Sequence, residues 1–210
     1  MRSKEKFQQR SKLCVIIDLC FLTPERAIKT ARAAVKAGAD MIQLRCKGLD
    51  TLKALKMAKA IRRITFRRAD FIVNDRLEIA IASEADGLHI GNGDTDTGLA
   101  RRLLGRRSIM GVSASGFKEA LRAKKSSASY LGVGPVFKTP IKCGKRPCGV
   151  GLLARIRKLN IPILAIGGID ERNLSKLTSR GFKSIAVIRA VSAAHSPFSA
   201  VCRLKKALAC

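Results

Sequence analysis

Gln43, Arg45 and Lys47 stand at alternate positions of one short stretch, Gln43-Leu44-Arg45-Cys46-Lys47. In extended chain, alternate residues share a face, so the amide and the two cations would point together. That trio suits an anion with a hydrogen-bonding neighbour. Asn74-Asp75-Arg76 and His89-Ile90-Gly91-Asn92-Gly93-Asp94 each contribute a carboxylate. Carboxylates are scarce here, with 15 Asp and Glu against 42 Lys and Arg. One or two carboxylates completed by substrate phosphate oxygens describe a magnesium site. The plainer role for Asp75 and Asp94 is to cap the helices that follow. Ser113 can bond a ligand ring or an oxyanion, or merely cap a helix. Gly167-Gly168, placed before a helix, lets backbone N–H groups approach a phosphate. No Cys–His or Ser–His pair stands out as a nucleophile with its base. These parts suit the departure of a metal-bound diphosphate from one substrate, with a second phosphate held nearby.

Each of these segments ends an apolar run, and the runs repeat. Strand-like stretches are 13–18, 40–45, 69–74, 86–90, 108–112, 130–134, 161–166 and 183–188. Near-continuous apolar runs of this kind belong to parallel sheets covered on both faces. Between them lie helical stretches at 23–36, 50–66, 76–83, 97–105, 116–125, 149–159 and 171–179, with a last one near 197–208. Thr23 and Asp50 are placed as N-caps, and Pro24 stands at a first helical position. Eight strand–helix units in 210 residues predict an α/β chain folded as a single (β/α)8 TIM barrel over 13–210, after a basic polar tail at 1–12. An open doubly wound sheet usually carries a glycine-rich loop after its first strand. Here that position reads Asp18-Leu19-Cys20-Phe21, without glycine. In a barrel, chemistry gathers at the C-terminal ends of the strands, which is where the polar residues above fall.

Composition narrows the function further. A net charge of +27 would attract phosphorylated metabolites, nucleic acid or an acidic surface. Many of the arginines come in pairs at predicted helix ends, where cations suit the dipole. Aromatics are 4% with no Trp, and no basic–aromatic interleaving supports nucleic-acid binding. No apolar run approaches a membrane span, and no signal peptide is expected, so the expected compartment is the cytoplasm. Seven scattered cysteines with two histidines make a poor zinc set and read as ordinary thiols.

Six motifs together resemble the thiamine-phosphate synthase family across nearly the whole chain. They are Gln43-Leu44-Arg45-x-Lys47, Val73-Asn74-Asp75-Arg76, Gly87-Leu88-His89-x-Gly91 with Asp94, Gly111-Val112-Ser113, Tyr130-Leu131-Gly132-x-Gly134-Pro135-Val136-Phe137 and Ala165-Ile166-Gly167-Gly168-Ile169. The resemblance implies a (β/α)8 barrel that joins hydroxymethylpyrimidine diphosphate to hydroxyethylthiazole phosphate, with magnesium as cofactor. It implies that Gln43 and Ser113 meet the aminopyrimidine, and that Arg45, Lys47, Asn74 and Lys142 hold its diphosphate. Leu44 and Cys46 belong to the same substrate-binding stretch. Asp75 and Asp94 would bind the metal. Thr139, Pro140, Ile141, Gly168, Ile188 and Arg189 would hold the thiazole phosphate. Ser113, Lys142 and Arg45 are the implied catalytic residues. Three positions depart from the family pattern: Lys138 for a usual proline, Ile141 for a threonine and Arg189 for a serine. The related thiazole tautomerase, an isomerase on the same barrel, is the alternative. It resembles this chain at Gly144-Lys145-Arg146-Pro147-Cys148-Gly149 but carries a histidine at Pro135 and needs no metal pair. A nucleic-acid-binding protein is the alternative of another class. Oligomeric state is left open.

Overall fold

The computed structural model describes residues 12–91, 96–142, 144 and 146–209, with Lys142 described by its backbone alone. Eight parallel strands close a barrel in sequence order, β1 through β8, with β8 pairing back onto β1. The strands are β1 Leu13–Asp18, β2 Met41–Arg45, β3 Asp70–Asn74, β4 Gly87–Ile90, β5 Ile109–Ala114, β6 Tyr130–Val133, β7 Ile163–Ile166 and β8 Ile185–Val187. Around them run α1 Pro24–Lys36, α2 Thr51–Thr65, α3 Leu77–Ala82, α4 Thr97–Leu104, α5 Phe117–Lys125, α6 Gly149–Arg157, α7 Ser175–Thr178, α8 Arg189–Ser192 and α9 Pro197–Ala209.

The helix starts follow local chemistry. Thr23 caps α1 by accepting from the Arg26 N–H at 3.4 Å, with Pro24 in the first turn. Asp50 caps α2 by accepting from Lys53 N–H at 2.9 Å. The faces that α1 and α2 bury are rich in alanine (Ala27, Ala31 and Ala34; Ala54 and Ala58), which seats them close on the barrel. Two arrangements differ from the sequence pattern. The seventh helix is a single turn, Ser175–Thr178, because Asp170 and Asn173 bond to the loop backbone ahead of it. A short helix, α8, also starts directly after β8.

Strand alternation sorts the core into two. One layer packs between barrel and helices and includes Leu13, Val15, Leu44, Cys46 and Val73. The other fills the barrel: Cys14, Ile16, Met41, Ile72, Ile109, Tyr130, Leu164 and Ala186. Below it, Lys12 is buried and pairs with Asp70 at 3.1 Å. Lys12, directly before β1, therefore closes the bottom of the barrel. Some of the cationic surplus is structural too. Arg101 donates to the carbonyls of Gly105, Ser108 and Ser127 at 2.8–3.0 Å, and Arg62 pairs with Asp86 at 3.1 Å. Arg157 lies over the Phe182 ring at 3.9 Å. No helix among the described residues is long and apolar enough to cross a membrane.

Burial pushes the Cys14 thiol above its ordinary 9.0 and the Tyr130 phenol well above its ordinary 10.0. The unfolded chain releases these protons where the folded one cannot, so stability present below pH 9 is lost as pH rises. One pH unit above the ordinary thiol value should cost about 1.4 kcal/mol per thiol. Thermal midpoints should fall between pH 8 and pH 10, and Cys14→Ala should fall less steeply than the parent. Parallel slopes would show that Cys14 does not titrate this way.

Candidate active site

The parallel register of β1 and β2 sets Asp18 beside Arg45 at the C-terminal end of the barrel. Asp18 is wholly buried and accepts from Arg45 Nη1 at 2.7 Å and from the Cys20 N–H at 3.1 Å. The Arg45 side chain, 26% exposed, is therefore fixed at the mouth. Two residues on, Lys47 Nζ meets Asp75 Oδ2 at 3.0 Å. Asp75 stands in the left-handed region at φ 65, uncommon for a residue with a side chain. Its N–H donates to the His89 carbonyl at 2.8 Å, and its Oδ1 accepts from the Gly91 N–H at 3.2 Å. These bonds hold the carboxylate at the mouth. Arg76 ties the loop beyond it to the Leu49 carbonyl and Thr51 hydroxyl at 2.8 and 2.7 Å.

The plainer capping role does not hold for Asp75 or for Ser113. The residue at the cap position of α3 is Arg76, and Asp96 caps α4 by accepting from the Leu99 N–H at 2.7 Å. Gly116, not Ser113, stands at the cap of α5. Ser113 Oγ instead lies 3.0 Å from His89 Nε2, and His89 Nδ1 lies 3.0 Å from the Tyr130 hydroxyl.

A cleft of about 470 Å³ opens above these groups. Gln43, Arg45, Asn74, His89 and Ser113 line one side of it. Thr139, Pro140, Ile141, Gly168, Ile188 and Arg189 line the other. Gly167 and Gly168 have φ 97 and 68, and a Cβ at Gly168 would meet the Lys138 and Phe137 carbonyl oxygens at 2.5 and 2.8 Å. Only glycine fits this cradle. The Asn173 side-chain amide fixes the Gly168 carbonyl at 2.7 Å. Lys142 ends a 3-10 turn, Pro140–Lys142, that borders the cleft.

The Leu44 and Cys46 side chains point outward into the layer beneath the helices, away from Gln43 and Arg45, so from these two positions only backbone could face the cleft. Asp94 lies outside the described residues, so the structure brings only Asp75 of the expected metal pair into the site. Sequence reasoning gave no role to Asp18 or Tyr130. Asp18 carried a readable signal, a carboxylate closing an apolar run, the same signal that singled out Asp75. Tyr130 is the chain's single tyrosine and opens β6, with no spacing to suggest a partner.

Comparison with known proteins places these features in a family. The thiamine monophosphate synthase profile matches residues 13–191. A thiamine-phosphate synthase of Chlorobium limicola is 45% identical over 184 residues, 85% of this chain and 88% of that protein. One of Prochlorococcus marinus is 38% identical over 187 residues, and the match spans about half, 54%, of that longer protein. The solved thiamine phosphate pyrophosphorylase from Pyrococcus furiosus superposes with a TM-score of 0.88 at 34% identity, covering 97% of this chain and 98% of that one.

The Asp18–Arg45 pair should be the stiffest contact of the mouth. Asp18→Asn removes the charge and leaves a largely buried guanidinium unpaired. Breaking a buried pair costs about 3 kcal/mol or more. That corresponds to a drop of roughly 6–12 °C in thermal midpoint for a chain of this size. A drop under about 2 °C in a melting curve would contradict the assignment.

Proposed function

The chain belongs to the thiamine monophosphate synthase family and is a transferase of thiamine biosynthesis, and from that premise we propose how its barrel mouth joins hydroxymethylpyrimidine diphosphate to hydroxyethylthiazole phosphate. The reading rests on one observation above all. Arg45 and Lys47, each paired with a carboxylate of a neighbouring strand end, stand over a cleft whose far wall is the glycine cradle.

The two cations have different tasks. Arg45 is anchored by a buried carboxylate and stays in place as a fixed charge for the diphosphate. Lys47 is half exposed, and a pair of that kind contributes little stability, so Lys47 can leave Asp75 for the diphosphate at small cost. Asn74 and Lys142 complete the diphosphate side. Gln43 and Ser113 meet the pyrimidine below. Thr139, Pro140, Ile141, Gly168, Ile188 and Arg189 receive the thiazole phosphate opposite.

Asp75 offers hard carboxylate oxygens beside the cations, a donor chemistry that fits magnesium; Asp94 would join it. When bound, the ion would offset charge on the diphosphate and make it a better leaving group. The bond between the pyrimidine methylene carbon and the diphosphate oxygen breaks, and its electron pair leaves with diphosphate. The thiazole nitrogen then gives its lone pair to the methylene cation, which yields thiamine phosphate. Arg45, held by Asp18, is preorganised toward the charge that develops on the leaving group, and Lys47 and Lys142 would add to it. Pro135 stands in the cleft wall where the tautomerase alternative requires a histidine.

A coupled assay with both substrates, with and without magnesium, tests this reading. Product should require all three, and Asp75→Ala or Asp94→Ala should abolish turnover while the fold survives. Near-normal rates in both variants would remove the magnesium assignment. Lys142→Ala should slow the reaction more than Lys138→Ala; equal effects would displace Lys142 from the diphosphate side.

Arg189 gives a finer test. It is exposed and shares the cleft wall with Ile141, which supplies no hydroxyl. A charge-assisted hydrogen bond from Arg189 to the thiazole phosphate would offset that loss, at roughly 1.5–3 kcal/mol. Arg189→Ser should then raise KM for thiazole phosphate about tenfold to a hundredfold, with little change for the pyrimidine diphosphate. Adding Ile141→Thr should recover part of the loss. Neutrality toward both substrates would mean that Arg189 faces away from the phosphate.

A further inference from the structure

The floor of the cleft holds a continuous line of polar groups, of which the reaction above uses only the two ends, Gln43 and Ser113. Gln43 bonds to the Tyr130 hydroxyl. Tyr130 reaches His89 Nδ1 at 3.0 Å, and His89 Nε2 reaches Ser113 Oγ at 3.0 Å. Tyr130 is fully buried, and Gln43 and His89 nearly so. Strand register builds the line: His89 pairs with Gly111, and Gly111 with Tyr130. The barrel gives up two inward side chains to make room for it. A Cβ at Gly111 would run into the Tyr130 phenol and His89 Nδ1, and one at Gly132 would meet His89 Cε1 at 2.7 Å.

Donors and acceptors along such a line can be ordered in two senses, and the chemistry selects one. A phenol is a good donor and a poor acceptor, whereas a neutral imidazole nitrogen is a strong acceptor. Tyr130 therefore donates to Nδ1. The neutral ring must then carry its proton on Nε2 and donate to Ser113 Oγ. With its proton given to Nδ1, the phenol oxygen is left to accept from the Gln43 amide N–H.

We propose that Tyr130 and His89 are positioning residues that lock one hydrogen-bond polarity into the floor of the cleft: Ser113 is left with its hydroxyl proton to donate, and Gln43 with its carbonyl oxygen to accept. This deepens the functional reading and rests on it, since the ligand over this floor is taken to be the aminopyrimidine. The lock matches an aromatic ring that sets an acceptor nitrogen beside an amino group. It opposes the oxo form of the same ring, where a carbonyl acceptor lies beside a ring N–H. The pair thus selects between two rings of the same shape.

Two measurements test the lock on the intact enzyme. The chain has two histidines, so nitrogen NMR of histidine-labelled protein reads His89 directly, with His195→Gln to assign the signals. The ring should be neutral and protonated on Nε2 at pH 7. Tyr130→Phe keeps the ring volume and removes the one donor. It should raise KM for the pyrimidine diphosphate about five- to tenfold, as expected for one neutral hydrogen bond. KM for thiazole phosphate should not move, and preference for the amino over the oxo pyrimidine diphosphate, measured by competition, should shrink. A ring protonated on Nδ1 or on both nitrogens in the unaltered protein overturns the proposal even if the variant fails to fold. So does a folded variant with unchanged KM and preference. Turnover of the unaltered enzyme on both substrates reports separately on the functional reading.

Discussion

Everything at the mouth depends on parallel strand register bringing Arg45, at the end of β2, and Lys47, just beyond it, each against a carboxylate from a neighbouring strand end. Asp18 is the direct neighbour of Arg45 in the β1–β2 ladder, and Asp75 follows the end of β3 within reach of Lys47. Without these partners two like charges would face each other over a low-dielectric barrel, which is costly. The pairs solve that problem unequally. A buried partner fixes Arg45, while an exposed pair leaves Lys47 exchangeable. A site that must bind and then release a multiply charged leaving group needs both.

The same alternation explains the vertical order of the barrel. Inward positions run from the Lys12–Asp70 pair at the bottom, through an apolar plug, to the Tyr130–His89–Ser113 line and then the cations. Outward positions of the same strands carry the apolar residues that seat the helices. One-residue steps along a strand therefore separate stability from chemistry, as Leu44 between Gln43 and Arg45 illustrates. In the wall opposite the cations, Gly167 and Gly168 let the β6–α6 loop close against β7.

Much of this was legible before any coordinates. Apolar runs at regular spacing with capping residues between them mark all eight strands, because strands buried on both faces have little choice of composition. Arg45, Lys47, Asn74 and Asp75 were legible because polar side chains at the ends of such runs are expensive unless used. Partnership was not legible. Nothing in the order of residues says that Asp18 will neutralise Arg45, or that the imidazole of His89 will bridge a tyrosine and a serine on two other strands. Those contacts depend on register and closure. The stretch 43–47 read as one binding segment, but only its alternate side chains can face the cleft. Part of the charge surplus also resolved only in three dimensions, as with Arg101 on three carbonyls and Arg157 over Phe182.

The central claim is that these paired cations form a receptor for a magnesium-loaded diphosphate. Calorimetric titration of the protein with inorganic diphosphate, with and without magnesium, tests it most directly. The account predicts saturable one-site binding that strengthens at least tenfold with magnesium and is lost when pyrimidine diphosphate fills the cleft. Equal affinity without magnesium, or binding that pyrimidine diphosphate does not displace, would contradict it.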